Sequence, residues 1–158
     1  MIQAKNTLYS FAIARPFWDF LEEQAGLGKI RSSVKVYGEI MSYEDDEDEL
    51  VKWCKPRKNS GLFCHPDQTV QDAYTQVANH VVQKYDQRRA KVAEFLKGGD
   101  GWIIAHAICD RGTVVSNEAR LDATALVPKV PNVCRSFGVG CINLPTMLTA
   151  LKFKFGRR

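Results

Sequence analysis

The chain has 158 residues, 45% of them hydrophobic and 25% charged, with a formal net charge of +4. That length and balance suit a globular chain with a real core and exclude a disordered or collagen-like one. No run reaches the roughly 18 apolar residues that span a membrane, no signal peptide opens the chain, and the small positive charge is a mild pointer to a polyanionic partner. Cys54, Cys64, Cys109, Cys134 and Cys141 are odd in number and scattered, mostly through apolar runs. They read as reduced core thiols of a cytoplasmic protein.

In chain order, Pro16 to Ala25 reads as a helix with proline in its first turn, Phe17, Phe20 and Leu21 on one face, and Gly26 at its end. Lys29 to Ser33 is a short strand running into a helix from Val34 to about Tyr43, where Val36, Tyr37, Ile40 and Met41 form an apolar stripe and Glu39 lies on its flank. The acidic run Glu44 to Glu49 is loop and helix start, and Pro56 stops the helix that follows. Leu62 to Cys64 is a short strand. Val70, Tyr74, Val77, Val81 and Tyr85 recur at three- and four-residue spacing and give the best-patterned helix, with Thr69 and Asp72 as its capping box.

The segment GGDGWIIAHAICDRGTVVSNE, Gly98 to Glu118, is the most informative. Gly98 and Gly99 break the preceding helix, Asp100 is placed to cap the next one, Gly112 ends it, and Thr113 to Val115 is a short buried strand. After an irregular stretch, Ala119 to Lys129, come a short helix from Pro131 to Phe137, a strand from Val139 to Ile142 and a last helix from Pro145. Strands separated by helical stretches imply βαβ units and a parallel sheet, so the expected fold is a single three-layer α/β/α domain over residues 1–158.

In a parallel sheet, strand C-terminal ends and helix N-terminal ends share the edge where ligands sit. Asp100 at a helix mouth and Glu118 after a strand are placed to converge there, an arrangement suited to a hard divalent cation. Each also has a plain reading: Asp100 as a helix cap, Glu118 as a loop acid, and Glu39 as a solvated charge on a helix flank. Other constellations are weaker. The run from Glu44 to Glu49 lacks the glycine and spacing of a calcium loop. Cys54, Cys64, His65 and His80 do not form two close zinc-ligand pairs. His106, inside an apolar helix, reads as a core histidine.

Four stretches carry a family resemblance. GGDGWIIAHAICDRGTVVSNE followed by VCRSFGVGCINLPTML resembles the C-terminal half of a PIN-like domain. IRSSVKVYGEIM resembles its second strand and the helix bearing an acid, and AKNTLYSFAIARPFWDFLE the segment after strand one in an uncharacterised PIN-like branch related to the VapC toxins. The resemblance implies a mainly parallel sheet and a Mg²⁺- or Mn²⁺-dependent endoribonuclease, the toxin half of a toxin–antitoxin pair, with RNA as substrate and an antitoxin protein as partner. It places the catalytic and metal-binding acids at Glu39, Asp100 and Glu118, with Ser116 and Asn117 as auxiliary polar groups. Such carboxylates suit Mg²⁺ and Mn²⁺, which prefer oxygen ligands. Lys84, Arg88, Arg89 and Lys91 form the best basic cluster to deliver an RNA backbone, and Lys152, Lys154, Arg157 and Arg158 the next.

The departure from the family pattern is at the start. PIN domains open with an apolar strand ending in Asp, then Ser/Thr and Asn, and Met1-Ile2-Gln3 falls past that point. Asn6 and Thr7 lie too far along to replace that motif, and Asp122 is a spare ligand in a later loop. Either Met1 is an internal methionine taken as the start, or the chain is truncated in fact. As written, the expectation is a fold lacking its central first strand and first acid, with little or no metal-dependent activity by itself. Its gap would be bridged by borrowed structure, such as a second copy in a homodimer. The alternative is a non-catalytic PIN-like module acting through protein or RNA contacts.

Overall fold

The computed structural model describes residues 1, 9–42, 47–118 and 124–155. Expectations for Asn6, Thr7, Tyr43, Asp122, Arg157, Arg158 and the acids at 44–46 lie outside the described residues. The chain is mixed α/β, with short parallel strands in two small sheets. It divides into two compact units: a terminal unit, Met1–His65 with Leu148–Arg158, and a central unit, Pro66–Met147.

In the terminal unit, helix α1 spans Arg15–Gly26 and buries Phe17, Trp18 and Leu21. Ser32–Ser33 (β1) leads into α2, Val34–Met41, where the buried Ser33 hydroxyl accepts the Lys35 N–H at 3.2 Å and caps the helix. Helix α3, Glu49–Cys54, continues as a single 3-10 turn, Lys55–Arg57. Its cap comes from the acidic run: one Asp48 oxygen accepts from Leu50 N–H at 2.8 Å and Val51 N–H at 3.3 Å. Strand β2, Phe63–Cys64, pairs in parallel with β1, Ser32 opposite Phe63. Aromatic residues fill this unit. Phe11 stacks on Trp18, Trp18 meets Trp53 edge-on, and Phe153 lies against Phe17 and Phe20.

The central unit is built on α4, Gln68–Lys84, against α6, Asp100–Asp110. Val70, Ala73, Val77 and Val81 are buried on one face of α4, and Gly101, Ile104, Ala105 and Ala107 on α6. Close approach depends on Gly101, since a Cβ there would stand 3.0 Å from the Tyr74 ring. That ring stacks on Trp102 at 3.8 Å, and its hydroxyl donates to the Leu96 carbonyl at 2.9 Å. A 3-10 turn, Asp86–Arg88, and helix α5, Arg89–Lys97, join the two long helices. Strands β3, Thr113–Val115, and β4, Gly140–Ile142, pair in parallel, flanked by α7, Val130–Ser136, and α8, Leu144–Ala150, which crosses the boundary of the two units.

Three local expectations are corrected. Helix α4 begins two residues early, at Gln68, and is capped by Asp67, whose carboxylate accepts Val70 N–H at 2.9 Å. The expected Thr69–Asp72 box is not used, and Asp72 instead accepts from Gln68 at 2.8 Å. Helix α6 ends on Arg111, in the left-handed region at φ 53°, rather than on Gly112. In β3 only Val114 is buried, so that strand is covered on one face alone.

Candidate functional site

The parallel pair β3/β4 directs its C-terminal ends at a loop and two helix starts, and Ser116 N–H extends the pairing to the Ile142 carbonyl at 2.9 Å. Ser116, Asn117 and Glu118, the described polar residues just after β3, each make a bond there. The Ser116 hydroxyl accepts Glu118 N–H at 3.2 Å, and the Asn117 amide oxygen accepts the N–H of Leu144, the first residue of α8, at 3.4 Å. Glu118 reaches furthest. One carboxylate oxygen accepts the N–H of Val130, the first residue of α7, at 2.6 Å, where Lys129 supplies no side-chain cap. An acid at that position stabilises an otherwise orphaned N–H and the positive end of the helix dipole. Glu118 therefore has a structural task whatever else it does.

Asp100 is exposed and lies in the first turn of α6, with Gly99 as the N-cap and no side-chain cap bond. The expectation that it caps this helix is corrected; its charge still sits at the favourable end of the helix dipole. Behind these acids lie two thiols. Cys134 in α7 is fully buried, and its thiol interacts with that of Cys141 in β4. The Cys134 thiol is pushed up to about 12, chiefly by burial, with Cys141 and, last, the Asp100 charge also acting to raise it. Burial also raises the Cys141 thiol, and the Glu118 charge adds to that. Asp100 and Glu118 are thus each within electrostatic reach of one member of a single thiol pair.

Glu39 is half-buried in α2 and belongs to the terminal unit, whereas Asp100 and Glu118 belong to the central one. The Glu39 carbonyl accepts the Ser42 hydroxyl at 2.7 Å. Among the described residues, no group of three or more His, Cys, Asp or Glu side chains is arranged to hold one metal ion. The donor chemistry of the acids nonetheless suits a hard cation, since carboxylate oxygens are its preferred ligands and Glu118 has a second oxygen besides the one bonded to Val130.

Lys84, Arg88, Arg89 and Lys91 are exposed and follow one another from the end of α4 through the 3-10 turn into α5. Lys91 pairs with Glu94 at 2.7 Å, and the Lys84 ammonium lies 5.6 Å from the Tyr85 ring centre. Lys152 and Lys154 are exposed too. Among the described residues, no helix is long and apolar enough to cross a membrane.

A family model described as Domain of unknown function (DUF4411) matches residues 1–155. The chain belongs to the DUF4411 family. No curated protein and no solved structure matches it.

The residues of this DUF4411 chain that reading along the sequence missed are Cys134 and Cys141. Each looked like a lone core thiol. The signal was their seven-residue spacing around Gly138, whose φ of 67° turns the chain from α7 back into β4.

Proposed function

We propose that this chain is a PIN-like, Mg²⁺- or Mn²⁺-dependent endoribonuclease and the toxin component of a toxin–antitoxin pair. Its architecture on this reading is a three-layer α/β/α domain around a mainly parallel sheet. The observation that supports it best is the placing of Asp100 and Glu118, from separate elements, within reach of one thiol pair beside the β3/β4 strands. Asp100 and Glu118 would hold the cation. A bound cation supplies charge stabilisation at a phosphodiester and a more acidic water. Ser116 and Asn117 fix the loop that carries Glu118 by bonding to Glu118 N–H and to the start of α8. Lys84, Arg88, Arg89 and Lys91 offer positive charge to an RNA backbone.

The test compares this chain with the same chain preceded by a strand ending Asp-Ser-Asn, on single-stranded RNA, with and without chelator. The extended chain should cleave, chelator should abolish the cleavage, and Asp100→Asn should lower it by about a hundredfold or more. Chelator-insensitive cleavage, or full activity in Asp100→Asn, would sink the reading. A second reading, a non-catalytic PIN-like module, is favoured by the commitment of Glu118 to the Val130 N–H. No cleavage by either chain, together with retained RNA or protein binding, would select it.

A further inference from the structure

The terminal unit holds a groove of about 390 Å³ lined by Phe11, Arg15, Trp18, Asp19, Glu49, Lys52, Trp53 and Arg57. Its volume lies in the range of small-ligand sites, about 300–1,000 Å³. Its lining does not include Asp100 or Glu118, which belong to the central unit. Its floor is aromatic: Phe11 stacks on Trp18 with ring centres 4.1 Å apart, and Trp53 stands edge-on to Trp18 at 5.2 Å.

Over the Trp53 ring of that floor lies the Arg57 cation. The Arg57 guanidinium lies 4.5 Å from the Trp53 ring centre, donates to the Trp53 carbonyl at 2.7 Å and pairs with Glu22. With 19% of its side chain exposed, it lies over an indole and is anchored by two acceptors. Guanidinium planes held in this way serve as platforms for nucleobases. The rim supplies both signs of charge. Arg15 and Asp19 are exposed one turn apart on α1, Glu49 is in the first turn of α3, and Lys52 pairs with Glu47 in an exposed contact that an anion can replace.

A ligand matching this set has a flat π face, an edge with N–H donors for Asp19 or Glu49, and an anionic group for Arg15 and Lys52. We propose that the groove binds a nucleoside 5′-phosphate group, its base stacked on the Arg57–Trp53 platform and its phosphate met by Arg15 and Lys52. The group can come from a free mononucleotide or from a nucleotide within an RNA strand.

Tryptophan emission of the full chain, in chelator, is titrated with guanosine monophosphate, guanosine, ribose 5-phosphate and a five-nucleotide single-stranded RNA. The monophosphate should give a saturable change, and guanosine and ribose 5-phosphate should bind at least tenfold more weakly, each lacking one half of the recognised group. Tighter binding of the RNA assigns the site to a strand; equal or weaker binding assigns it to the free nucleotide. Arg15→Ala and Lys52→Ala, both at exposed positions, should each lose about tenfold in affinity with an unchanged melting temperature. Arg57→Lys keeps the charge but not the plane and should lose more. Asp100→Asn should bind normally, which separates this site from the proposed nuclease centre. No saturable response to the monophosphate or the RNA, or undiminished affinity in both alanine variants, would overturn the proposal.

Discussion

At the scale of single residues, Glu118 carries two readings that one pair of substitutions separates. Its carboxylate accepts the first N–H of α7, and removal of a helix N-terminal acceptor costs about 1 kcal/mol. Glu118→Ala should therefore lower unfolding free energy by about that amount. Glu118→Gln keeps an oxygen acceptor and should stay within about 0.5 kcal/mol, while removing the negative charge that a cation needs. Urea unfolding midpoints measure the first effect and Mn²⁺ titration the second. Equal stability in both variants would show that the Val130 bond contributes nothing. Caps were the least legible residues in the sequence for a related reason. Asp67, Asp48 and Ser33 each compete with neighbours able to cap, and the choice depends on which residue adopts extended backbone just before the helix.

At the scale of elements, the packing of α4 on α6 holds the central unit together. Val77, Val81 and Ile104 have no exposed surface and share one cluster with Val114, Val133 and Cys134; α4 packs on α6, and α6 in turn on β3 and α7. Truncating Ile104 to alanine should cost about 2–5 kcal/mol, because a well-packed site collapses only partly around the space left. Against a net stability of about 5–15 kcal/mol for a typical domain, that is a large fraction. Thermal or urea unfolding of Ile104→Ala checks it. A loss below about 1 kcal/mol would mean that the cluster is loosely packed. The α4 pattern was readable because apolar residues recurred at helical spacing over 17 residues. Its end at Tyr85 was readable from the same spacing; the 3-10 turn Asp86–Arg88 that follows was not, since Lys84 to Lys91 contains neither proline nor glycine.

At the scale of the whole molecule, buried thiols make stability fall at high pH. Burial raises Cys54 in the terminal unit and Cys134 in the central unit from the ordinary 9.0 to about 12. In the folded state both thiols keep their protons above pH 9, whereas the unfolded chain releases them there, so unfolding releases protons in that window. The stabilisation is fully present below about pH 9 and is lost as pH rises towards about 12. Melting temperature should thus fall across this range. Cys134→Ala should show a shallower alkaline slope than the parent, whatever its stability at neutral pH. An identical slope would mean that Cys134 is not protected.

Periodicity and composition by themselves determined a mixed α/β chain, the positions of α1, α4 and α6, and four short strand segments, because burying one face of a helix or strand writes its period into the residues. They also marked Asp100 and Glu118 as acids at helix and strand mouths, since glycines and apolar runs flank them. Which groups those acids meet was decided only by tertiary structure. The Glu118 bond to Val130 spans 12 residues, and the thiol contact depends on the turn at Gly138. The groove joins Phe11, residues of α1 and α3, and Arg57 of the 3-10 turn, which share no motif. A linear pattern records what each element buries. Contacts between side chains of different elements depend on how the chain returns on itself, and no local spacing encodes that path.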